Sequence, residues 1–260
     1  MGQNMPEQEY TDKKIAAPNK RKRNRPSVAI GKWVLQKIER VLIHFSEIAD
    51  QPFFNAQDFA WTVPLEADWK KIRQELDRVL VKQDQLPNFQ DISKDQINIT
   101  QDNRWKTFFL YGYGYKMQSN CDQCPETTRV IESIPGMVTG FFSVLAPGKH
   151  IPPHRGPYKG LLRCHLALKV PEPANQCWIE VGDITANWQE GKCLVFDDTY
   201  THRVENNTDG TRVVLFLDII RPMRFPGYLI NRIVIRLIRL SPFIQDAIRN
   251  QRAWEYRIGT

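Results

Sequence analysis

Between residues 138 and 219 the chain is cut into short apolar runs by turn residues, and this punctuation limits the fold more than any other feature. Val138–Leu145, Leu161–Val170, Leu194–Phe196 and Thr211–Ile219 are dense in Val, Leu, Ile and Phe. Between them lie Ala146-Pro147-Gly148, Pro152-Pro153, Arg155-Gly156-Pro157, Glu190-Gly191 and the run from Asn206 to Gly210. Such runs read as β-strands, because branched and apolar side chains fit a pleated surface while Gly, Pro and Asn break it. Tyr200, His202 and Val204 share a face of a further strand. Many short strands at even spacing predict a mainly β, antiparallel sandwich or barrel such as a jelly roll.

Within these strands sit residues that apolar strands do not normally tolerate. Arg163 and Arg212 are embedded in runs that otherwise read as buried, and four of the five histidines (His150, His154, His165, His202) fall in the same stretch. Side chains alternate across a strand, so Arg163 and His165 share one face, and Ser143 points away from Phe142 and Val144. An unpaired buried cation is costly to desolvate, so something anionic is expected to meet these arginines. A lone strand histidine is more often a satisfied core or surface residue than a ligand. His150, in a turn rich in Pro and Gly, is expected to be a loop residue.

The set taken together is more specific. His154-Arg155-Gly156-Pro157, Arg163-Cys164-His165, Phe196-Asp197-Asp198, His202 and Arg212 match, in order and spacing, a pattern of the aspartyl/asparaginyl β-hydroxylase family. The resemblance covers roughly residues 60–225. It implies an iron(II)- and 2-oxoglutarate-dependent dioxygenase with a double-stranded β-helix (jelly-roll, cupin-like) core. Carried over, His154 and His202 would ligate Fe(II). Arg212 with Ser143 would hold the distal carboxylate of 2-oxoglutarate, and Arg163 and His165 the carboxylate nearest the metal, with O₂ as the other cosubstrate. The chemistry of the residues agrees: imidazole suits iron(II), and a guanidinium offers a planar fork to a carboxylate. One departure stands out. The carboxylate of a two-His, one-carboxylate site would sit at residue 156, which is glycine. Some members carry Gly there and remain active, with water completing the coordination. Asp197 and Asp198 are expected to orient the turn before His202 rather than to ligate.

The flanks differ from this centre in charge. Residues 1–40 hold ten Lys/Arg against four Asp/Glu, and residues 221–260 eight against two, so the centre is acidic. Residues 1–27, with the run Lys20 to Pro26, read as a disordered basic tail. No aromatic residues are interleaved with that run, so a solvated or membrane-surface tail is expected rather than a nucleic-acid one. No apolar signal-peptide core follows the start. Residues 28–50 read as an amphipathic helix with Ile30, Val34, Ile38, Val41, Phe45 and Ile48 at helical spacing. Its lysines and Arg40 make it too charged to span a bilayer, and it fits either a membrane surface or the barrel. A helix is expected over 65–83 on the stripe Trp69, Ile72, Leu76 and Leu80. A loop is expected over 84–104, and an aromatic strand from Arg104 to Tyr115.

Residues 226–240 place Arg232, Arg236 and Arg239 on one helical face, a combination suited to an anionic lipid surface. The stretch 241–255 resembles the C-terminal tail of bacterial members that hydroxylate lipid acyl chains, such as ornithine-lipid 2-hydroxylases; lipid A hydroxylase-like members tend to carry Asp where Gly156 stands. Cys121 and Cys124 form an isolated C-x-x-C. Five cysteines and no secretory signal fit reduced cytosolic thiols.

The sequence therefore predicts a tail (1–27), a helix and linker (28–60), a dioxygenase domain (61–225) and a basic helical end (226–260). The expected reaction is hydroxylation of an unactivated C–H, at C2 of a membrane-lipid acyl chain. The alternatives are a peptidyl aspartyl/asparaginyl β-hydroxylase and a non-catalytic membrane-binding barrel. The expected place is the cytoplasm, peripheral on the inner face of the membrane, with no transmembrane helix.

Overall fold

The computed structural model describes residues 38–258; the predicted basic tail and residues 28–37 of the predicted first helix lie outside them. The described chain opens with a helix over 38–45 (α1) and runs through β1 (Phe53–Phe54), α2 (Thr62–Ala67), α3 (Trp69–Leu80) and α4 (Phe89–Ile92). Then come β2 (Trp105–Gly112), β3 (Tyr115–Lys116), α5 (Gln118–Gln123) and α6 (Pro125–Glu132). The central strands are β4 (Met137–Leu145), β5 (His150–His154), β6 (Leu161–Lys169), β7 (Cys177–Val181), β8 (Ile184–Asn187), β9 (Cys193–Phe196), β10 (His202–Asn206) and β11 (Arg212–Ile220). Two helices close the chain, α7 (Gly227–Arg239) and α8 (Pro242–Ile258).

The strands form two antiparallel sheets, a seven-stranded one in the order β1-β9-β6-β11-β4-β2-β3 and a four-stranded one in the order β5-β10-β7-β8. One buried cluster joins Ile151, Ile179 and Val204 of the smaller sheet to Phe141, Leu166 and Phe216 of the larger. This is the expected cupin-like jelly roll. The larger sheet begins before residue 61, since β1 pairs with β9 through Phe53↔Phe196.

The helices cover the back of the larger sheet. Ile72, Leu76 and Val79 of α3 are buried there, and the predicted helix over 65–83 is divided at Asp68 into α2 and α3. Glu75, 2% exposed, accepts from the backbone N–H groups of Glu126 and Thr127 and from the Thr127 hydroxyl, at 2.9, 2.8 and 2.6 Å. It thus caps the N-terminus of α6, where unpaired N–H groups need an acceptor. This helical cover is why β2 is buried on both faces, with Thr107, Phe108, Phe109 and Leu110 all inside.

Three expectations need correction. The stretch 84–104 is not a bare loop: it carries α4 and 3₁₀ turns at Gln83–Gln85 and Lys94–Asn98. In α1 it is Leu42, fully buried, and not the exposed Val41 that faces the protein, packing with Met223, Tyr158, Val234 and Ile235. Tyr200 lies in the turn before β10 and not in the strand.

Candidate active site

His154 and His202 end up face to face because β5 and β10 are neighbours in register, His202 opposite His154. Their ring centroids are 4.1 Å apart. Each Nδ1 is fixed by the carbonyl two residues earlier, Pro152 O at 2.9 Å and Tyr200 O at 3.0 Å. Burial pushes both imidazoles down to about 4, with repulsion from His202 adding to the effect on His154 and Arg163 to that on His202. Both rings are therefore neutral at pH 7.

Arg163 and His165 reach the same groove from β6, as strand alternation required. Arg163 is held by two carboxylates: Nη2 lies 2.9 Å from Asp198 Oδ2, and Nε donates to Asp218 Oδ1 at 3.0 Å. Its guanidinium also stacks 4.2 Å from the centre of the Phe216 ring. Asp218 is opposite Arg163 in the β6–β11 register, so the pair is built into the sheet. Burial pushes both carboxyls up, against the pull of the arginine between them.

Gly156 and Asp198 are sterically coupled. The Asp198 carbonyl accepts the Gly156 N–H at 2.8 Å, and a Cβ built on Gly156 would lie 2.0 Å from Asp198 Oδ2. The Asp198 carboxylate fills the space that any side chain at 156 would need. Asp197 shapes the same turn: its Oδ1 accepts from Thr199 N and Oγ1 at 3.0 and 2.5 Å. Its Oδ2 meets Arg221 at 2.7 Å and Lys159 at 2.9 Å. Arg221, fully buried, also donates to Ser46 Oγ and Ala49 O.

A second polar cluster lies deeper. His165 sits among the rings of Phe196, Phe216 and Trp188, at centroid distances of 5.0, 5.1 and 6.0 Å. Arg212, 2% exposed, lies 4.6 Å from the centre of the Trp188 ring. Neither nitrogen of His165, nor Arg212 Nε and Nη1, nor Trp188 Nε1 has a hydrogen-bond partner in the protein. Burial draws Arg212 down to about 10 and His165 below its ordinary range. Ser143 Oγ accepts from Trp105 Nε1 at 3.0 Å. A cavity of about 500 Å³ opens over the first cluster, lined by His154, Gly156, Arg163, Asp198, Phe216 and Phe243 among others.

The structure therefore brings His154, His202, Arg163, His165, Arg212 and Ser143 to one side of the jelly roll. His150 stands apart, half exposed, its Nδ1 2.6 Å from Glu205 Oε1, and it opens β5 instead of lying in the expected loop, since it pairs in register with Glu205 of β10. Residues that the sequence did not single out are Trp188, Trp105, Asp218, Lys159 and Arg221. Asp218 carried a usable signal, a carboxylate inside the apolar run of β11, of the same kind as Arg212. Cys121 and Cys124 are buried and free, with thiols raised by burial, Cys124 to about 12. Among the described residues no group of three or more His, Cys, Asp or Glu has the arrangement of a metal site.

Residues 66–222 match the family model described as aspartyl/asparaginyl beta-hydroxylase. An ornithine lipid ester-linked acyl 2-hydroxylase from Rhizobium tropici is 44% identical over 217 residues, 84% of this chain and 77% of that protein. The human aspartyl/asparaginyl beta-hydroxylase is 30% identical over 72% of this chain, which spans only 25% of that longer protein. Among solved structures, the Schizosaccharomyces pombe Cnp3 cupin domain has a TM-score of 0.33 at 9% identity, over 51% of this chain and 68% of that one.

Proposed function

As the chain belongs to the aspartyl/asparaginyl β-hydroxylase family, we propose that it is an iron(II)- and 2-oxoglutarate-dependent hydroxylase acting at C2 of an ester-linked acyl chain of a membrane lipid. The observation that carries the cosubstrate is the orphaned cation. Arg212 is buried with two of its guanidinium nitrogens unanswered, beside the equally unanswered His165 and Trp188. A buried guanidinium without an acceptor is strongly unfavourable, and a carboxylate restores the balance.

Arg212, with Ser143 on the neighbouring β4, would hold the distal carboxylate of 2-oxoglutarate. Arg163 and His165 would meet the carboxylate nearest the iron. His154 and His202 would hold the iron through Nε2, since each Nδ1 is already committed to a backbone carbonyl, the usual way a protein orients an imidazole ligand. Both rings are neutral well below pH 7, so no proton must leave before a metal binds. Bound iron supplies the oxidising chemistry toward the C–H bond, with O₂ and 2-oxoglutarate consumed. The Asp198 carboxylate, over Gly156, keeps Arg163 stretched across the groove and leaves the two imidazoles as the protein's ligands.

The lipid part of the reading rests on the similarity to the Rhizobium protein and on α7. That helix exposes Leu229, Ile233, Leu237 and Leu240, with Arg232 and Arg236 beside them. An apolar row edged by cations suits an anionic bilayer surface, and among the described residues no helix is long and apolar enough to cross one.

The test is succinate formation from 2-oxoglutarate by purified protein with iron(II), with and without vesicles containing ornithine lipid. Turnover stimulated by lipid, with the acyl chain gaining one oxygen, is the expected result. Turnover indifferent to lipid but driven by an aspartyl or asparaginyl peptide would overturn the lipid reading. His202→Ala should reduce turnover to background, and full activity in that variant would remove the metal assignment.

A further inference from the structure

Beside the groove that holds His154 lies a second cavity, of about 170 Å³, most of whose lining is not assigned to iron or cosubstrate. Its polar end is Arg163 and Asp218, at the first cluster. From there it runs between the sheet and the last helix, and its walls become mainly hydrocarbon, with Ser93, Gln96, Thr139 and Gln251 as the polar positions among them. Phe109, Phe141 and Phe216 line it from the sheet, and Ile244, Ala247 and Ile248 line it from α8. It shares Tyr113, Pro157, Phe216 and Phe243 with the groove over the metal side, so the two spaces adjoin along one wall. Around Gly112 and Ile248 the sheet and α8 close: a Cβ on Gly112 would touch Ile248 Cδ1 at 3.5 Å.

We propose that this cavity, between β2, β11 and α8, receives the hydrocarbon tail of the acyl chain beyond the carbon that is hydroxylated, and that α8 selects tail length. The inference rests on the lipid-hydroxylase reading and assigns it a specificity element. A peptide brings an N–H and a C=O with every residue, and a pocket walled by Phe and Ile offers them few partners, whereas a hydrocarbon tail asks for none. Apolar cavities of about 150 Å³ accommodate a six-carbon ring, so this one holds a tail segment of roughly six carbons. The far wall also lies outside the common core: α8 starts at Pro242, beyond the matched residues 66–222.

The experiment uses the whole protein and two substitutions on α8. In metal-free protein, binding of the fluorescent fatty acid cis-parinaric acid reports occupancy without turnover. Wild type should bind it, and Ala247→Phe, which fills the cavity, should weaken binding by about tenfold, equivalent to losing the burial of about two methylenes. In iron-loaded protein with ornithine lipids of graded acyl length, Ala247→Phe should shift hydroxylation to shorter chains. Ile248→Ala, which deepens the cavity, should shift it to longer ones and decides the matter if Ala247→Phe does not fold. An unchanged length profile in a folded variant, or no binding of the probe by wild type, would overturn the proposal. Probe binding that responds to the α8 substitutions, without hydroxylation of any lipid, would leave the pocket standing and sink the lipid-hydroxylase reading instead.

Discussion

Two polar clusters share the Phe216 ring, one lining the groove and one buried beneath it, yet they are built on opposite terms. Around Arg163 the protein supplies its own counter-ions, Asp198 and Asp218, both within 3.0 Å. Around Arg212 it supplies aromatic rings, and the N–H groups of Arg212, His165 and Trp188 are left without acceptors. Both arginines project from adjacent strands of one sheet, Arg212 at 2% exposure and the Arg163 side chain at 18%. Arg221 with Asp197 repeats the closed arrangement at the end of β11. A buried charge with its partner is part of the architecture. A buried charge without one is stability held back for a ligand.

The sharpest way to break this comparison is to make the same substitution in both kinds of site. Arg221→Met leaves the Asp197 carboxylate, at 0% exposure, with Lys159 as its remaining ion-pair partner, and should cost about 3–5 kcal/mol in urea unfolding. Arg212→Met removes a cation that had no partner. The ligand-free protein should be no less stable, or more stable by up to about 4 kcal/mol. The same variant should raise the 2-oxoglutarate requirement about a hundredfold, as expected for a lost charge-assisted contact of about 2–3 kcal/mol. Equal destabilisation by the two substitutions would erase the distinction between the clusters.

A smaller effect separates the imidazoles from the carboxylates. His154 and His202 titrate near 4 when folded and near 6.5 when unfolded, so between these values the unfolded chain binds protons that the folded chain refuses. Stability of the metal-free protein should be fully present above pH 6.5. It should fall as pH drops toward 4, by at most about 1.4 kcal/mol per pH unit for each histidine. Unfolding measured across that window should give a flatter curve for His202→Gln, and an identical curve would show that the ring is not held neutral. The smallest change is Trp188→Phe, which keeps an aromatic face but removes the indole N–H and part of a buried ring system. It should raise the 2-oxoglutarate requirement only several-fold, about 1 kcal/mol, with a modest fall in melting temperature from the space it leaves.

How far the sequence reached follows from what each feature depends on. The strands were legible because local side-chain chemistry decides them, and Arg163, His165 and Arg212 stood out because charge is rare in such runs. The His154–His202 pairing was legible only through the spacing of the whole motif, since register is set by turns and by the partner strand. Trp188 was not legible, because a tryptophan at the end of a short strand looks like any core aromatic until Arg212 lies on it. The face of α1 was misread because Val41 and Leu42 are adjacent and equally apolar, and only the position of Met223 and Tyr158 chooses between them. The cavity under α8 depends on how the last helix folds back over β2, a contact between residues more than a hundred positions apart.

The matched family segment starts at residue 66, yet Arg221 within it is completed by Ser46 Oγ and Ala49 O, and the edge of β9 is covered by Phe53 and Phe54. The segment that the family model matches is therefore smaller than the unit that folds. A fragment cut at the start of the shared segment would keep every ligand-facing residue and Asp197 itself. It would lose the hydroxyl and carbonyl that complete the guanidinium's shell, and it would expose a bare sheet edge, inviting the chain to pair with its own copies before any iron arrives.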